Sequence, residues 1–222
     1  MQSRTMFLIF LPAVLLCCQN TEAMDWWPVS FSDVATGDER PLQLWNAVMN
    51  NDIKQVRSLF DDGLQPDVRN IHGFTALHHL ILCADNSACA KPATCAMLQY
   101  LIQRGVPVDA RSDGGVTPLH CAAAMDRNDM ARLLLADGAD VETQTIYGHT
   151  PIHYAVFNRS LAMVRELLAA GAARDICDTD GRTPQYYAIT AGLDDDLIRQ
   201  LRPGDAPDPF EDASLFMRGL DI

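Results

Sequence analysis

The sequence predicts an all-α solenoid of helix-turn-helix repeats with hairpin loops, in which three full repeats lie between divergent N- and C-terminal caps. A six-residue stretch that begins with Gly recurs along the chain. A second stretch, with two adjacent apolar residues and a Gly, recurs in phase with it. The glycines that open the first stretch, Gly73, Gly115, Gly148 and Gly181, lie 42, 33 and 33 residues apart. A fixed period of this size indicates stacked supersecondary units that share one elongated core.

Length and composition indicate one globular domain. The chain has 222 residues, of which 48% are apolar and 21% charged. The net charge of -12 disfavours nucleic acid and anionic lipid as partners and favours a basic protein surface. A second interpretation stays open, namely that the acidity only keeps the protein soluble. Among the 17 basic residues only Lys54 and Lys91 are lysines, and this composition hints at a GC-rich bacterial gene.

The first 23 residues predict a cleaved secretory signal peptide. Arg4 precedes an apolar run at residues 6–16, which is shorter than the ~20 residues of a membrane-spanning helix. Thr21 and Ala23 then place small side chains at two positions that define a cleavage site. We therefore expect a periplasmic or secreted protein whose mature chain begins with an extension at residues 24–40.

Lipidation at Cys17 or Cys18 is an alternative to cleavage after Ala23. Leu16 argues against it, because lipidation normally requires a small residue before the cysteine. Signal cleavage removes both cysteines and leaves five. Disulfides are permitted in an exported protein, and an odd number leaves at least one thiol free or paired between molecules.

Within one repeat, the residue types predict where each helix begins and ends. Thr117 and Pro118 predict a helix N-cap followed by the first helical position, where proline loses no hydrogen bond. A second helix is predicted from Asp129 to Ala136, with apolar residues at helical spacing. Gly138 predicts a left-handed residue that ends it. Residues 141–148 then predict a hairpin-like loop before the next Thr-Pro pair.

The predicted repeat domain covers residues 41–201. It divides into an N-terminal cap, three full repeats and a C-terminal cap, at residues 41–69, 70–111, 112–144, 145–177 and 178–201. The first cap lacks the Thr-Pro opening, and the last has Gln185 in place of an apolar residue, as is typical of terminal repeats. Residues 202–222 predict an acidic, proline-rich tail, which begins at residues 202–209 with an extended linker that does not pack. Its Leu215, Phe216 and Leu220 either dock on the last repeat or form a short interaction motif.

The recurring stretches resemble the ankyrin-repeat family. The resemblance rests on Thr117-Pro118-Leu119-His120 and Thr150-Pro151-Ile152-His153, each with Leu-Leu and Gly-Ala downstream. It covers residues 41–201. It implies the solenoid described above and a protein-binding role without catalysis.

The first full repeat departs from this pattern by nine extra residues between its helices, within Cys83 to Ala96. Cys83, Cys89 and Cys95 lie there, with five residues between successive cysteines and no His in the insert. This spacing is not a usual zinc pattern. A disulfide that closes the loop is the favoured prediction, and its pairing stays open.

The six histidines do not predict a catalytic or metal site. His78, His120 and His153 are the signature histidines, which in the family hydrogen-bond the neighbouring backbone. His72 and His149 fall on loop tips, where we expect them to be solvated. The sequence has no zinc-protease, phosphate-loop or nucleophile-elbow motif. We predict no enzyme activity, no cofactor and no metal.

The resemblance implies that partners bind the concave side, which consists of loop tips and first helices. Several of these positions carry apolar or aromatic residues where a solvated surface would be polar, notably Tyr147 and Phe157. An alternative is that some of these side chains tuck between adjacent tips. The predicted partner-binding residues are Ile71, His72, Phe74, Asp113, Val116, Met125, Ile146, Tyr147, His149, Phe157, Asn158, Thr179, Asp180 and Arg182.

These observations predict a monomeric, non-catalytic module in the periplasm that sequesters, inhibits or regulates one protein partner. By analogy with exported bacterial ankyrin proteins, an immunity protein against a secreted toxin or an accessory protein of oxidative-stress defence is expected. A secreted effector that mimics host ankyrin proteins is an alternative. A redox protein that uses Cys177, expected to be exposed, or the cysteine-rich insert is another; Cys121 is expected to be buried and inert.

Overall fold

A computed structural model describes residues 38–83 and 92–202. The predicted signal peptide, Cys89 and the tail from residue 203 onward lie outside these residues. The described ranges form ten α-helices and no β-strand. The helices are α1 (Arg40–Met49), α2 (Ile53–Asp61), α3 (Ala76–Cys83), α4 (Pro92–Gln103), α5 (Pro118–Ala124), α6 (Asn128–Ala136), α7 (Pro151–Phe157), α8 (Leu161–Ala169), α9 (Pro184–Thr190) and α10 (Asp195–Gln200).

The helices pack in pairs, and the pairs stack into two rows. The first helices α1, α3, α5, α7 and α9 each pack on the next in the series. The second helices α4, α6, α8 and α10 form the other row. Between the rows lies one continuous core that runs through all five pairs. The predicted all-α ankyrin-type solenoid is therefore confirmed.

The core repeats with the period of the sequence. Three sets of fully buried side chains recur at equivalent positions of the three full repeats: Leu77, Leu119 and Ile152; Met97, Met130 and Met163; and Leu101, Leu134 and Leu167. In the last pair, Leu197 and Leu201 are buried in the same way, but 34 rather than 33 residues after Met163 and Leu167. One extra residue in the turn before α10 thus shifts that helix.

Helix boundaries follow the local chemistry predicted for them. Thr117, Thr150 and Thr183 are extended N-caps, each followed by proline in the first turn. The second helices α2, α4, α6 and α8 are each followed by a glycine with positive φ, as at Gly138 (φ +88°). There the N–H of Ala139 donates to the carbonyl of Leu134 at 3.0 Å, which satisfies a carbonyl that the helix leaves unpaired.

The structure corrects the expected extent of the insert. Helix α4 begins at Pro92 and has 12 residues, against nine in α6 and in α8. Cys95 therefore belongs to the first turn of a helix rather than to a loop between helices. Proline is well placed at a helix start, and burial of Thr94 anchors the added turn. The disulfide prediction is untested, since Cys89 lies outside the described residues.

Within residues 38–83 and 92–202, no helix has the length and apolar character needed to cross a membrane.

Candidate protein-binding surface

Four hairpin loops, here called tips, precede helices α3, α5, α7 and α9. The residue that opens each tip has a short polar side chain: Asn70, Ser112, Thr145 and Asp178. Asn70 Oδ1 accepts hydrogen bonds from the N–H groups of His72 and Phe74, each at 2.9 Å. Asp178 Oδ1 does the same at the last tip for the N–H groups two and four residues on. Side chains that fold the backbone back in this way fix each tip locally.

Neighbouring tips are joined by backbone hydrogen bonds. The N–H of Asp113 donates to the carbonyl of His72 at 3.0 Å, and that of Ile146 donates to the carbonyl of Gly114 at 3.1 Å. The N–H of Thr179 donates to the carbonyl of Tyr147 at 3.0 Å. The four tips therefore form one ordered row with fixed spacing, so a partner would meet a preorganised surface.

The signature histidines join successive repeats, as expected. In each, Nδ1 accepts from the N–H of the preceding cap threonine, at 3.1–3.2 Å. Nε2 therefore carries the proton and donates to a carbonyl of the next tip: Val116 for His78, His149 for His120 and Arg182 for His153. Burial lowers the pKa of each imidazole to about 4, although the bond to the neighbouring carbonyl acts in the opposite direction.

The predicted binding residues differ in how much side chain they present. The exposed ones are Ile71, His72, Asp113, Ile146, Thr179 and Asp180. The half-buried ones are Phe74, Val116, Tyr147, His149, Phe157, Asn158 and Arg182. Met125 is only 8% exposed, because it packs into the core at the end of α5. The expectation that Met125 presents an apolar surface is therefore wrong.

Aromatic packing also corrects the expectation for His149. Its ring lies 5.3 Å from that of Phe157, and its Nε2 lies 3.5 Å from Asp178 Oδ2. Burial lowers the pKa of His149, although Asp178 opposes the shift. Phe157 in turn meets Tyr187 edge-on, with ring centroids 4.9 Å apart. His149 is thus packed between two repeats, and the alternative that tip residues tuck between tips holds for this part of the surface.

A family model described as ankyrin repeats (3 copies) matches residues 44–145 and 138–207. The chain belongs to the ankyrin-repeat family. No curated protein matches it. Membership makes the repeat domain a protein–protein interaction module, and the family is typically non-catalytic.

This ankyrin-repeat protein carries a ladder of side-chain hydrogen bonds that the recurring motifs did not predict. Arg69 Nη1 donates to the carbonyl of Arg111, and Arg111 Nη2 to the carbonyl of Gln144, both at 2.6 Å. Gln144 Nε2 donates to the carbonyl of Cys177 at 3.1 Å. These residues directly precede the tip-opening residues. Comparing the repeats position by position would have found long donor side chains there at the spacing of 42 and 33.

The cysteines of the ankyrin-repeat protein have contrasting surroundings. Cys121 is buried in α5, and burial raises the pKa of its thiol to about 12, as expected for an inert packing residue. Cys177 is exposed, as predicted. In the part of the chain that the structure describes, no three His, Cys, Asp or Glu side chains are grouped so as to hold a metal ion.

Proposed function

We propose that this ankyrin-repeat protein binds one protein partner through the tip surface, defined here by the exposed side chains of Ile71, Asp113, Ile146, Thr179 and Asp180. One observation carries the proposal. Ile146 is 58% exposed, yet its backbone is held by the hydrogen bond to Gly114. A rigid, solvent-facing isoleucine has no role in holding the fold, and such side chains are suited to interface centres.

The charges beside Ile146 indicate the kind of partner. Asp113 and Asp180 are exposed on tips to either side, and Arg182 pairs with Asp180 at 3.0 Å. An apolar side chain between carboxylates suits a basic surface with an apolar pocket, and the net charge of -12 steers such a partner toward the protein.

Replacing Ile146 by Asp tests the tip surface. We expect the mutant to lose at least tenfold in affinity, since it removes an interface anchor of about 1.4 kcal/mol or more. Its free energy of unfolding should stay within about 0.5 kcal/mol of wild type, because the side chain is already in water. The mature wild-type chain would be used to capture partners, and titration calorimetry would then measure the affinity of each.

The matched control is Ala162→Asp, which adds the same charge to an exposed position on α8 in the other helix row. A partner that binds wild type and the control but not Ile146→Asp supports the tip surface. Equal binding by all three proteins would refute it. Replacing both Tyr147 and Phe157 by Ala, the two aromatic positions that stand out in the sequence, is less informative because Phe157 also packs on Tyr187.

We further propose that binding takes place in the periplasm, where the protein neutralises a basic toxin or regulates an enzyme. The leader at residues 1–23 supports export, and a single compact module supports a role as inhibitor. Oxidative-stress defence and mimicry of host ankyrin proteins are the competing roles, and partner identity separates them.

Export yields a direct prediction. The full-length chain expressed in a Gram-negative host should reach the periplasmic fraction, shortened by 23 residues. Leu11→Arg, which interrupts the apolar run, should leave a full-length product in the cytoplasm, while Gln19→Arg outside the run should still be processed. N-terminal sequencing and fractionation measure both. Full-length wild-type protein confined to the cytoplasm would contradict the proposal.

A further inference from the structure

The C-terminal end of the repeat stack presents apolar side chains where a terminal repeat normally is polar. Tyr186 and Ile189, on α9, are 48% and 45% exposed. We call these two side chains the end face. In the preceding repeat, the residues 33 positions earlier are His153 and Val156, and both are buried. Position for position, the end face is therefore the surface on which another repeat would pack.

The last tip likewise lacks a close neighbour among the described residues. At Gly148, a Cβ would lie 2.8 Å from the backbone nitrogen of Thr179 in the next tip. At Gly181, no atom of the described residues would lie within 4 Å of such a Cβ. Among the described residues, the close contacts between tips thus end at the last tip, whereas α9 still presents the apolar side chains of the end face.

We propose that the chain's own C-terminal tail, residues 203–222, covers the end face. The chain leaves the stack at Arg202, directly after buried Leu201, and α10 packs against α9, which carries the end face. The tail contains apolar residues after its proline-rich start: Phe210, Leu215, Phe216, Met217 and Leu220. With about 3.3 Å per extended residue, Phe216 reaches the end face easily.

Two physical arguments favour the tail over other occupants. A tethered segment acts at an effective concentration near millimolar, whereas a separate molecule must bind from dilute solution. A second copy of the chain is disfavoured because each copy carries a net charge of -12, and like charges repel. The proposal does not depend on what the tip surface binds.

The test is a double-mutant cycle in the full chain with Ile189→Ser and Phe216→Ser. Because Ile189 is exposed apart from the tail, neither variant endangers the fold. We expect Phe216→Ser to speed amide hydrogen exchange at residues 187–191 about tenfold in the wild-type background. In the Ile189→Ser background, the same substitution should change the exchange by less than twofold, because the shared contact is already lost.

The control pair is Ile146→Ser with Phe216→Ser, since Ile146 lies on a tip and is also exposed. The effects of these two substitutions on exchange at residues 187–191 should be independent of each other. If neither Phe216→Ser nor Leu215→Ser changes amide hydrogen exchange at residues 187–191, the proposal is overturned. It would also be overturned if sedimentation showed a dimer that Ile189→Ser dissociates, because a second copy would then be the occupant.

Discussion

Replacing Gly148 by Ala should cost about 2–4 kcal/mol of unfolding free energy, the sum of left-handed strain and a steric clash. Gly148 has φ +76°, where an L-residue is strained. A Cβ there would also lie 2.9 Å from Asp178 Cα and 3.0 Å from its carbonyl carbon. These are backbone atoms of the next tip, so relief requires the tips to separate. Urea unfolding of the two proteins measures the difference.

Gly138→Ala is the matched control for Gly148→Ala. Gly138 has φ +88° and no described atom within 4 Å of an added Cβ, so it experiences the strain without the clash. We expect a cost of about 1–2 kcal/mol there. The difference between the two variants isolates the close contact between tips. If both variants lose the same free energy of unfolding, the tips separate without a measurable energy cost and do not form a fixed surface.

Stability should fall steeply as the pH is lowered from 7 to 4.5. Burial lowers the pKa of His78, His79, His120 and His153 to about 4, whereas an unfolded histidine has a pKa near 6.5. Between these values the unfolded chain binds more protons, so the free energy of unfolding is highest above pH 6.5 and decreases toward pH 4. Each histidine accounts for roughly 2 kcal/mol by pH 4.5. We therefore expect acid unfolding near pH 4–5.

One substitution assigns this pH dependence to buried histidine. His79 is buried and stacked on Trp45, with ring centroids 5.3 Å apart, and a phenyl ring preserves that packing. The His79→Phe variant should therefore keep most of its stability at pH 7. Between pH 7 and 4.5 its free energy of unfolding should decrease by roughly one quarter less than that of the wild type. His72→Gln, at an exposed tip position, is the control and should leave the decrease unchanged. Identical pH profiles for all three proteins would exclude His79 as a contributor to the decrease.

Much of the fold could be predicted because repetition multiplies weak local signals. A single Thr-Pro pair indicates a helix start, but Thr117 and Thr150 in phase with Gly138 and Gly171 define a unit and its period. The signature histidines were also predictable, since their bonds run to backbone groups that every repeat supplies. The candidate site was harder, because exposure of a tip side chain depends on what the next repeat presents to it.

The contrast between Ile146 and Met125 illustrates the limit. Both are apolar residues at predicted surface positions, yet one is exposed at a tip and the other is buried at the end of α5. His149 likewise sits at a tip by sequence but packs against Asp178 and Phe157 from two repeats. The sequence pattern of a single repeat does not predict these contacts, because they are formed between repeats.

Residue type and spacing along the chain were sufficient to predict the helix pairs, their caps, the period and the family. Three features depend instead on how the repeats pack on one another: which tip side chains face water, the start of α4 at Pro92, and the exposure of Tyr186 and Ile189 on α9. Burial depends on neighbours 30 or more residues away in the sequence, and within residues 38–83 and 92–202 no further repeat follows α10.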